Sequence, residues 1–427
     1  MATKDRMPQL EPKMIEQIEK LSSMPAVKAA FDICAQEVER AMAEQVRISE
    51  IESPTFAEKV RGEAIMELMK AYGLKDVVMD PSGNVVGRRP GKDNGPVLAI
   101  AAHLDTVFPA GTNLKVTKEG PIYRGPGIGD NASGLRSMLQ VLRALEGAKI
   151  ETAGDILFVG TVGEEGNGDI RGAKALFDGS RKIDGFMALD MADVYTVQNG
   201  ATGAHRWRIA IEGQGGHSYI DYAKVPSAIH AMCRAGNIIA DFDPPENPKT
   251  TFTIGTIRGG TSVNTIAAEC SVDVDIRSLA MEPMLKLEKE IREAFAAGVE
   301  EENRIWGITD PEKKLRLVEE MIGDRPAGLR PHDCPVLQAS RAAQAELGIP
   351  LTNYGFSSTD ANKPMSMGIP STCLSAGGKQ MRTHTIHEYF DAVDIHLGPQ
   401  LIMLSALALV GTDATDPMLP VRDHAKA

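Results

Sequence analysis

The sequence predicts an α/β protein with a mixed, largely parallel sheet, into which a second domain of ferredoxin-like α+β fold is inserted. Short apolar runs at residues 97–102, 156–162 and 186–189 alternate with helical patterns. Apolar side chains at positions 135, 138, 139, 142 and 145 fall on one face of a helix. After residue 200 the predicted order of elements becomes βαββαβ, which is the ferredoxin-like split unit.

The remaining elements follow from the same patterns. Residues 14–72 are predicted to be helical, with a new helix starting at Ser53-Pro54-Thr55. The inserted domain is predicted to contain strands at 207–211, 251–257, 270–276 and 315–321, and helices at 225–242 and 283–299. A helix at 336–347 returns the chain to the first domain. We therefore expect the domains to be 1–202, 203–325 and 326–427, with the first and third forming one unit.

Composition excludes several classes of protein. The 427 residues suffice for two domains, and 43% hydrophobic with 24% charged residues is typical of globular chains. A net charge of −12 argues against nucleic-acid or anionic-membrane partners, which require a positive surface. The sequence shows neither a signal-peptide core nor a membrane-spanning run, so a cytoplasmic protein is expected. Its five cysteines show no CxxC pairing, so any metal would be bound by histidine and carboxylates.

Ionisable residues follow each of the three apolar runs directly or closely: His103, Glu164 and Asp190. In an open α/β sheet the carboxyl ends of the strands border one crevice, where sites form. Asp105 lies two residues after His103 and so points to the same side of a strand, where it could orient that imidazole for metal binding. The alternative is a polar turn at the end of the strand.

A glycine-rich turn at residues 125–134 precedes the predicted helix and contains Asp130. Its carboxylate could bridge two metals. Alternatively, Asp130 or Ser133 caps the helix, or the glycines form a dinucleotide fingerprint. The fingerprint requires a buried strand directly before it, and the residues at 123–126 do not suit one.

Three acidic residues and a histidine pair complete the candidates. Glu164 and Glu165 repel each other unless a cation or a division of roles compensates. If Glu165 binds metal, Glu164 is left as a general base; the alternative is an acidic surface loop. Asp190 could be merely a polar residue at a strand end. His384 and His387 are three apart and could instead lie on an exposed helix.

These residues together resemble a family of dinuclear zinc hydrolases that contains glutamate carboxypeptidase, acetylornithine deacetylase, succinyl-diaminopimelate desuccinylase and tripeptide aminopeptidase. The resemblance spans most of the chain. The motifs that carry it, in order, are His103-x-Asp105, Gly129-Asp130-Asn131, Glu164-Glu165-Gly166, Leu189-Asp190, Gly216-His217-Ser218, Asn264-Thr265-Ile266, Asp275-Ile276-Arg277 and His384-x-x-x-Glu388.

The resemblance implies a role for each metal-site residue. Asp130 would bridge two metal ions, one completed by His103 and Asp190 and the other by Glu165 and His384. The spacing to Glu388 favours His384 over His387 as the ligand. Asp105 would orient His103, and Glu164 would be the general base. Two divalent ions per chain are expected, with Zn²⁺ as the first choice and Co²⁺ or Mn²⁺ as alternatives.

The resemblance also implies that the inserted domain is a lid and the surface of a homodimer. In it, His217 would steady the oxyanion, commonly across the dimer, while Asn264 and Arg277 would bind substrate. The predicted function is cleavage of the amide bond of small peptides by an exopeptidase. The alternatives are an N-acyl amino acid deacylase of the same fold and a non-catalytic binding relative.

Overall fold

The computed structural model describes residues 9–352 and 354–424. The chain divides into two compact units, one formed by residues up to Ala201 and from Leu329 onward, the other by Thr202–Gly328. The first is a mixed α/β unit and the second an α+β unit, which confirms the predicted fold class.

Up to Ala201 the helices are α1 (Pro12–Ser23), α2 (Pro25–Gln36), α3 (Val38–Ser49), α4 (Lys59–Ala71), α5 (Ala132–Gly147) and α6 (Arg171–Leu176). The strands are β1 (Asp76–Met79), β2 (Val85–Arg89), β3 (Val97–His103), β4 (Thr117–Glu119), β5 (Ile122–Arg124), β6 (Asp155–Thr161), β7 (Gly185–Met191) and β8 (Gln198–Ala201). A 3₁₀ turn occupies Gly166–Gly168.

The second unit contains β9 (Gly203–Glu212), β10 (Gly216–His217), α7 (Ala228–Ala240), β11 (Thr250–Gly259), β12 (Thr265–Ile266), β13 (Glu269–Ser278), α8 (Met281–Ile305) and β14 (Arg316–Arg325). Beyond it follow β15 (Gly328–Leu329), α9 (Pro335–Glu346), β16 (Gly355–Ser357), α10 (Asn362–Ser366), β17 (Ser371–Ser375), β18 (Lys379–Met381), β19 (Tyr389–Asp391) and α11 (Leu397–Val410).

The first unit is built on a six-stranded sheet with the order β1-β2-β6-β3-β7-β17. Strands β6, β3, β7 and β17 pair in parallel, while β1 and β2 are antiparallel. Alternate residues of β3 enter two separate cores, with Leu98 and Ile100 on one face and Ala99 and Ala101 on the other. Because both faces are covered, the central strands appear in the sequence as unbroken apolar runs.

Helix α5 begins directly after the glycine-rich turn, and its N-cap is Asn131. The side chain of Asn131 accepts a hydrogen bond from the Gly134 amide at 3.0 Å and donates to the Leu189 carbonyl on β7 at 2.9 Å. The alternative that Asp130 or Ser133 caps this helix is therefore wrong. A Cβ atom on Gly134 would lie 2.3 Å from that carbonyl, so this glycine permits the start of α5 to lie against β7.

The predicted helix start at Ser53-Pro54-Thr55 is also wrong, because α4 begins at Lys59. Pro54 instead forms an isolated bridge with Thr106, whose amide donates to the Ser53 carbonyl at 2.9 Å. This pairing with the loop after β3 overrides the local preference for a helix start, and it brings Thr55 to the ligand-bearing loops.

In the second unit four antiparallel strands have the order β11-β13-β9-β14, and α7 and α8 pack on the sheet. With the chain order βαββαβ this is the ferredoxin-like arrangement that the sequence predicts. Its core is separate from those of the first unit and contains residues such as Ile209, Val274 and Phe295. Among the helices of the described residues, none is both long and apolar enough to cross a membrane.

Candidate metal centre

The candidate ligands lie where neighbouring parallel strands end. His103 is the last residue of β3 and pairs with Thr161, the last residue of β6. Glu164 follows that strand by three residues, and Asp190 is the penultimate residue of β7. Since β6, β3 and β7 are adjacent and parallel, their carboxyl ends meet at one edge of the sheet, as predicted.

Asp130 lies between two imidazoles. Its Oδ1 is 3.0 Å from Nε2 of His103, and its Oδ2 is 3.1 Å from Nε2 of His384. The same His384 nitrogen is 3.1 Å from Oε1 of Glu165, and the His103 nitrogen is 3.8 Å from Oδ1 of Asp190. The structure thus brings together all five side chains predicted to hold metal, with the Asp130 carboxylate in the middle.

The cluster concentrates negative charge in a largely buried place. Burial raises the pKa of Asp190 to about 6, although His103 opposes the rise. Burial alone would also raise the pKa of Asp130, but the neighbouring imidazoles of His103 and His384 outweigh it and lower that pKa. Asp130 and Glu165 in turn raise the pKa of His384 to about 11. The imidazoles therefore supply the positive charge that the carboxylates require.

The donor set fits divalent metal ions. His103 Nε2 and Asp130 Oδ1 are buried and lie 3.0 Å from each other. Among the described residues, no hydrogen bond to another group satisfies either atom. Two groups of three side chains, namely His103, Asp130, Glu165 and His103, Glu164, Asp190, offer ligand atoms within 4.8 Å of one another. Imidazole and carboxylate donors without thiolate suit zinc and also cobalt or manganese.

Asp105 touches His103 mainly through its backbone. The His103 Nδ1 atom is 3.0 Å from the Asp105 carbonyl oxygen and 3.5 Å from its carboxylate. The fully buried carboxylate instead accepts the amides of Glu164 and Glu165, each at 3.0 Å, and the Thr55 hydroxyl at 2.9 Å. The predicted role of orienting His103 stays a prediction. The structure adds that Asp105 holds the turn that carries both glutamates.

Glu58 is a residue that the sequence analysis did not single out. Its side chain, 4% exposed, accepts the Gly163 amide at 3.0 Å and pairs with Arg171 at 2.6 Å. It therefore holds the residue directly before Glu164. No local motif reveals such a role, because Glu58 and Gly163 are more than a hundred positions apart in the chain.

The two histidines near the end of the chain differ in position. The His384 imidazole contacts Asp130 and Glu165, whereas the backbone amide of His387 donates to the Thr385 hydroxyl at 3.2 Å. Both lie in a loop, so the alternative of an exposed helix is wrong. The geometry agrees with the choice of His384 made from spacing, and the role itself stays a prediction.

In the second unit His217 and Asn264 are neighbours. His217 pairs with Thr265 across β10 and β12, and the Asn264 carbonyl accepts the Ser218 amide at 3.0 Å. Nδ1 of His217 faces the amides of Tyr219 and Ile220 at 3.2 and 3.3 Å. Because amides only donate, Nδ1 must be the acceptor, and the neutral ring carries its proton on Nε2.

Arg277 lies at the other end of this sheet. It pairs with Ala204 near the start of β9, whereas Glu269 pairs with Glu212 near the β10–β12 pair. Eight residues of strand, at about 3.3 Å each, span about 26 Å. Arg277 donates through Nε to Asp275 at 2.7 Å and is 43% exposed. Within one copy of this unit, the structure does not bring Arg277 together with His217 and Asn264.

The glycine-rich turn does not lie in the structural context of a dinucleotide fingerprint. Strand β5, which precedes it, belongs to a small antiparallel sheet with the order β18-β19-β5-β4, and not to the parallel sheet. Gly129 instead permits close packing, since a Cβ atom there would lie 2.6 Å from Cβ of Gln380. The fingerprint alternative therefore lacks the preceding strand of the parallel sheet that it requires.

Two family models match the chain. Residues 199–303 match the peptidase dimerisation domain, and residues 84–224 match peptidase family M28. A curated relative, the N-acetyldiaminopimelate deacetylase of Halalkalibacterium halodurans, is 32% identical over 160 residues, which cover 34% of this chain and 42% of that protein. The curated relatives are matched over 33% to 59% of their own lengths.

Solved structures cover far more of the chain. A tripeptidase from Staphylococcus aureus is 25% identical with a TM-score of 0.72, over 86% of this chain and 97% of that one. A dinuclear metal-binding peptidase of the M20 family from Bacillus subtilis is 16% identical with a TM-score of 0.66, over 88% and 99%. The family resemblance predicted from the motifs is thereby confirmed: this chain has the fold of the M20 dinuclear metallopeptidases, and its sequence relatives include proteins named deacetylase and desuccinylase.

Proposed function

We propose that this protein is an exopeptidase that hydrolyses the amide bond of small peptides with the aid of two divalent metal ions, Zn²⁺ being the first choice and Co²⁺ or Mn²⁺ the alternatives. The observation that carries the proposal is the position of Asp130, each of whose oxygens faces a different imidazole at 3.0 or 3.1 Å. A carboxylate in that position suits a bridge between two ions.

The distances support a division of the ligands into two sets. His103 and Asp190 would hold one ion and His384 and Glu165 the other, with Asp130 shared between them. Nε2 of His103 and Nε2 of His384 each lie 3.0 to 3.8 Å from the carboxylate oxygens of their own set. Bound ions of this kind lower the pKa of a shared water to about 7 and polarise a substrate carbonyl.

Glu164 is proposed as the general base. Its side chain is only 5% exposed, and its backbone is held by Asp105. It is near enough to His103 and Asp190 to form a ligand group with them, so its carboxylate borders the place of the first ion. There it would take a proton from water and return it to the departing amine nitrogen.

The second unit is proposed as a lid that contributes to substrate binding and dimerisation. The proton on Nε2 of His217 suits donation to a developing oxyanion, and Asn264 beside it offers a further amide. The guanidinium of Arg277 suits a substrate carboxylate. Since about 26 Å of strand β13 separates Arg277 from the end of the sheet that leads to β10, we propose that His217 serves the site of the second copy in a homodimer. The family match over residues 199–303 supports that assembly.

We further propose that the domains are 1–202, 203–325 and 326–427 and that the protein works in the cytoplasm. The five cysteines are free thiols, four of them buried, which suits a reducing compartment.

The N-acyl amino acid deacylase is the second candidate function, because three sequence relatives are named N-acetyldiaminopimelate deacetylase. A panel of free dipeptides, tripeptides, N-acetyl amino acids and N-succinyl amines, assayed with added Zn²⁺, Co²⁺ or Mn²⁺, separates the two. We expect chelator-sensitive release of amino acids from the free peptides. Preferential cleavage of the acylated substrates would favour the deacylase, and no cleavage with no bound metal would favour a binding protein.

Replacing the proposed base separates metal binding from turnover. In Glu164→Gln we expect kcat to fall by about 10²- to 10⁴-fold, since proton transfer by a positioned group contributes that much. Metal content should stay near that of the parent. Glu146→Gln, which changes a carboxylate paired with Arg89 in the same unit, is the control and should keep parental turnover. A Glu164→Gln protein with parental kcat would rule out this role.

Replacing Arg277 tests carboxylate recognition. In Arg277→Ala we expect KM for peptides with a free terminal carboxylate to rise about 10- to 100-fold, as expected for a lost charged hydrogen bond. Esters or amides of the same peptides should change little. Arg208→Ala is a matched control, because Arg208 also donates to an aspartate of β13, Asp273, at 2.9 Å. Equal effects on acids and esters would remove Arg277 from carboxylate binding.

A further inference from the structure

The turn at residues 125–130 carries the central ligand of the proposed metal centre but has few side chains of its own to fix it. Three of its six residues are glycines, and Gly127 adopts a positive φ of 73°. Glycine retains more backbone freedom than other residues, so such a turn needs external contacts to hold one conformation.

Glu388 binds the amides of this turn. One carboxylate oxygen accepts the Gly127 amide at 2.9 Å, and the other accepts the amides of Gly129 and Asp130 at 2.8 and 2.9 Å. Its backbone carbonyl accepts the Gly125 amide at 3.1 Å. Glu388 is fully buried. The three amides that its side chain binds all belong to residues 127–130 of the turn.

The carbonyls of the turn are bound from another side. On helix α3, Gln45 donates through Nε2 to the Ile128 carbonyl at 2.6 Å, and Ser49 donates to the Pro126 carbonyl at 3.2 Å. Both side chains are fully buried. The Gln45 oxygen is in turn held by Nε of Arg136 at 3.2 Å, which fixes its orientation. Amides and carbonyls of the same turn are thus held by different elements.

We infer that Glu388, Gln45 and Ser49 are positioning residues. Together they hold the Asp130 carboxylate between the two proposed metal sites. The inference rests on the proposed function. Its physical basis is that Asp130 must present one oxygen to each ion at once, so a shift of its backbone weakens both sites. Residues that orient metal ligands in this way typically change metal affinity about 10- to 100-fold when replaced.

The decisive variant is Glu388→Gln, which keeps the size of the side chain but replaces one acceptor oxygen by an amide that cannot accept from a backbone amide. The matched control is Glu302→Gln in the second unit. Glu302 is also fully buried and also accepts a backbone amide, that of Ser227 at 3.3 Å. Zn²⁺ affinity is measured by competition with a chromophoric chelator, and the Tm of each metal-free protein is measured beside it.

We expect both variants to lower Tm but only Glu388→Gln to weaken Zn²⁺ binding, by about 10- to 100-fold. Ser49→Ala and Ser49→Thr form a milder pair that keeps the result decisive if Glu388→Gln does not fold. Ser49→Ala should weaken Zn²⁺ binding, and Ser49→Thr, which keeps the hydroxyl, should restore it.

Parental Zn²⁺ affinity in Glu388→Gln, or in Ser49→Ala where Glu388→Gln does not fold, would overturn the positioning role while leaving the proposed function intact. A parent protein that binds no Zn²⁺ would overturn both. The two failures are therefore distinguishable from one set of titrations.

Discussion

The structure depends on the accommodation of buried negative charge at the carboxyl edge of one sheet. Asp130, Glu164, Glu165 and Asp190 lie around two imidazoles there, in a place where carboxylates are poorly hydrated. Like charges at this distance repel strongly unless cations lie between them. Burial raises the pKa of Asp190, and the charges of Asp130 and Glu165 add to the rise. The same two carboxylates raise the pKa of His384 by pairing with its imidazole. Two divalent ions would compensate the negative charge of the four carboxylates more completely than two protonated imidazoles.

A second layer of carboxylates holds the backbone that carries the first. Asp105 binds the amides of Glu164 and Glu165, and Glu58 binds the amide of Gly163. Glu388 binds three amides of the turn that carries Asp130. In each case backbone amides hydrogen-bond to a buried carboxylate, and Glu58 is paired with the Arg171 guanidinium as well. The ligand-bearing loops, which are rich in glycine and irregular, are thereby given defined positions by residues distant in sequence.

Much of this arrangement follows from local patterns in the sequence. The apolar run before His103 predicted β3, and the end of that strand placed the histidine at the edge of the sheet. The start of α4 was not predictable, because the bridge between Pro54 and Thr106 is a long-range contact that competes with the local helix signal. The amide contacts of Glu58 and Glu388 join residues more than a hundred positions apart, so no spacing rule reveals them. In the sequence, Glu388 served only to favour His384 over His387 as the ligand, through its spacing from His384.

Asp130 is proposed to be shared by two metal ions, and metal content measured by inductively coupled plasma mass spectrometry tests this sharing most directly. The parent chain should hold about two ions after dialysis against buffered Zn²⁺, and Asp190→Asn should keep about one, because it removes a ligand of a single ion. Asp130→Asn should lose both. Retention of one or two tightly bound ions by Asp130→Asn would contradict a shared bridging carboxylate.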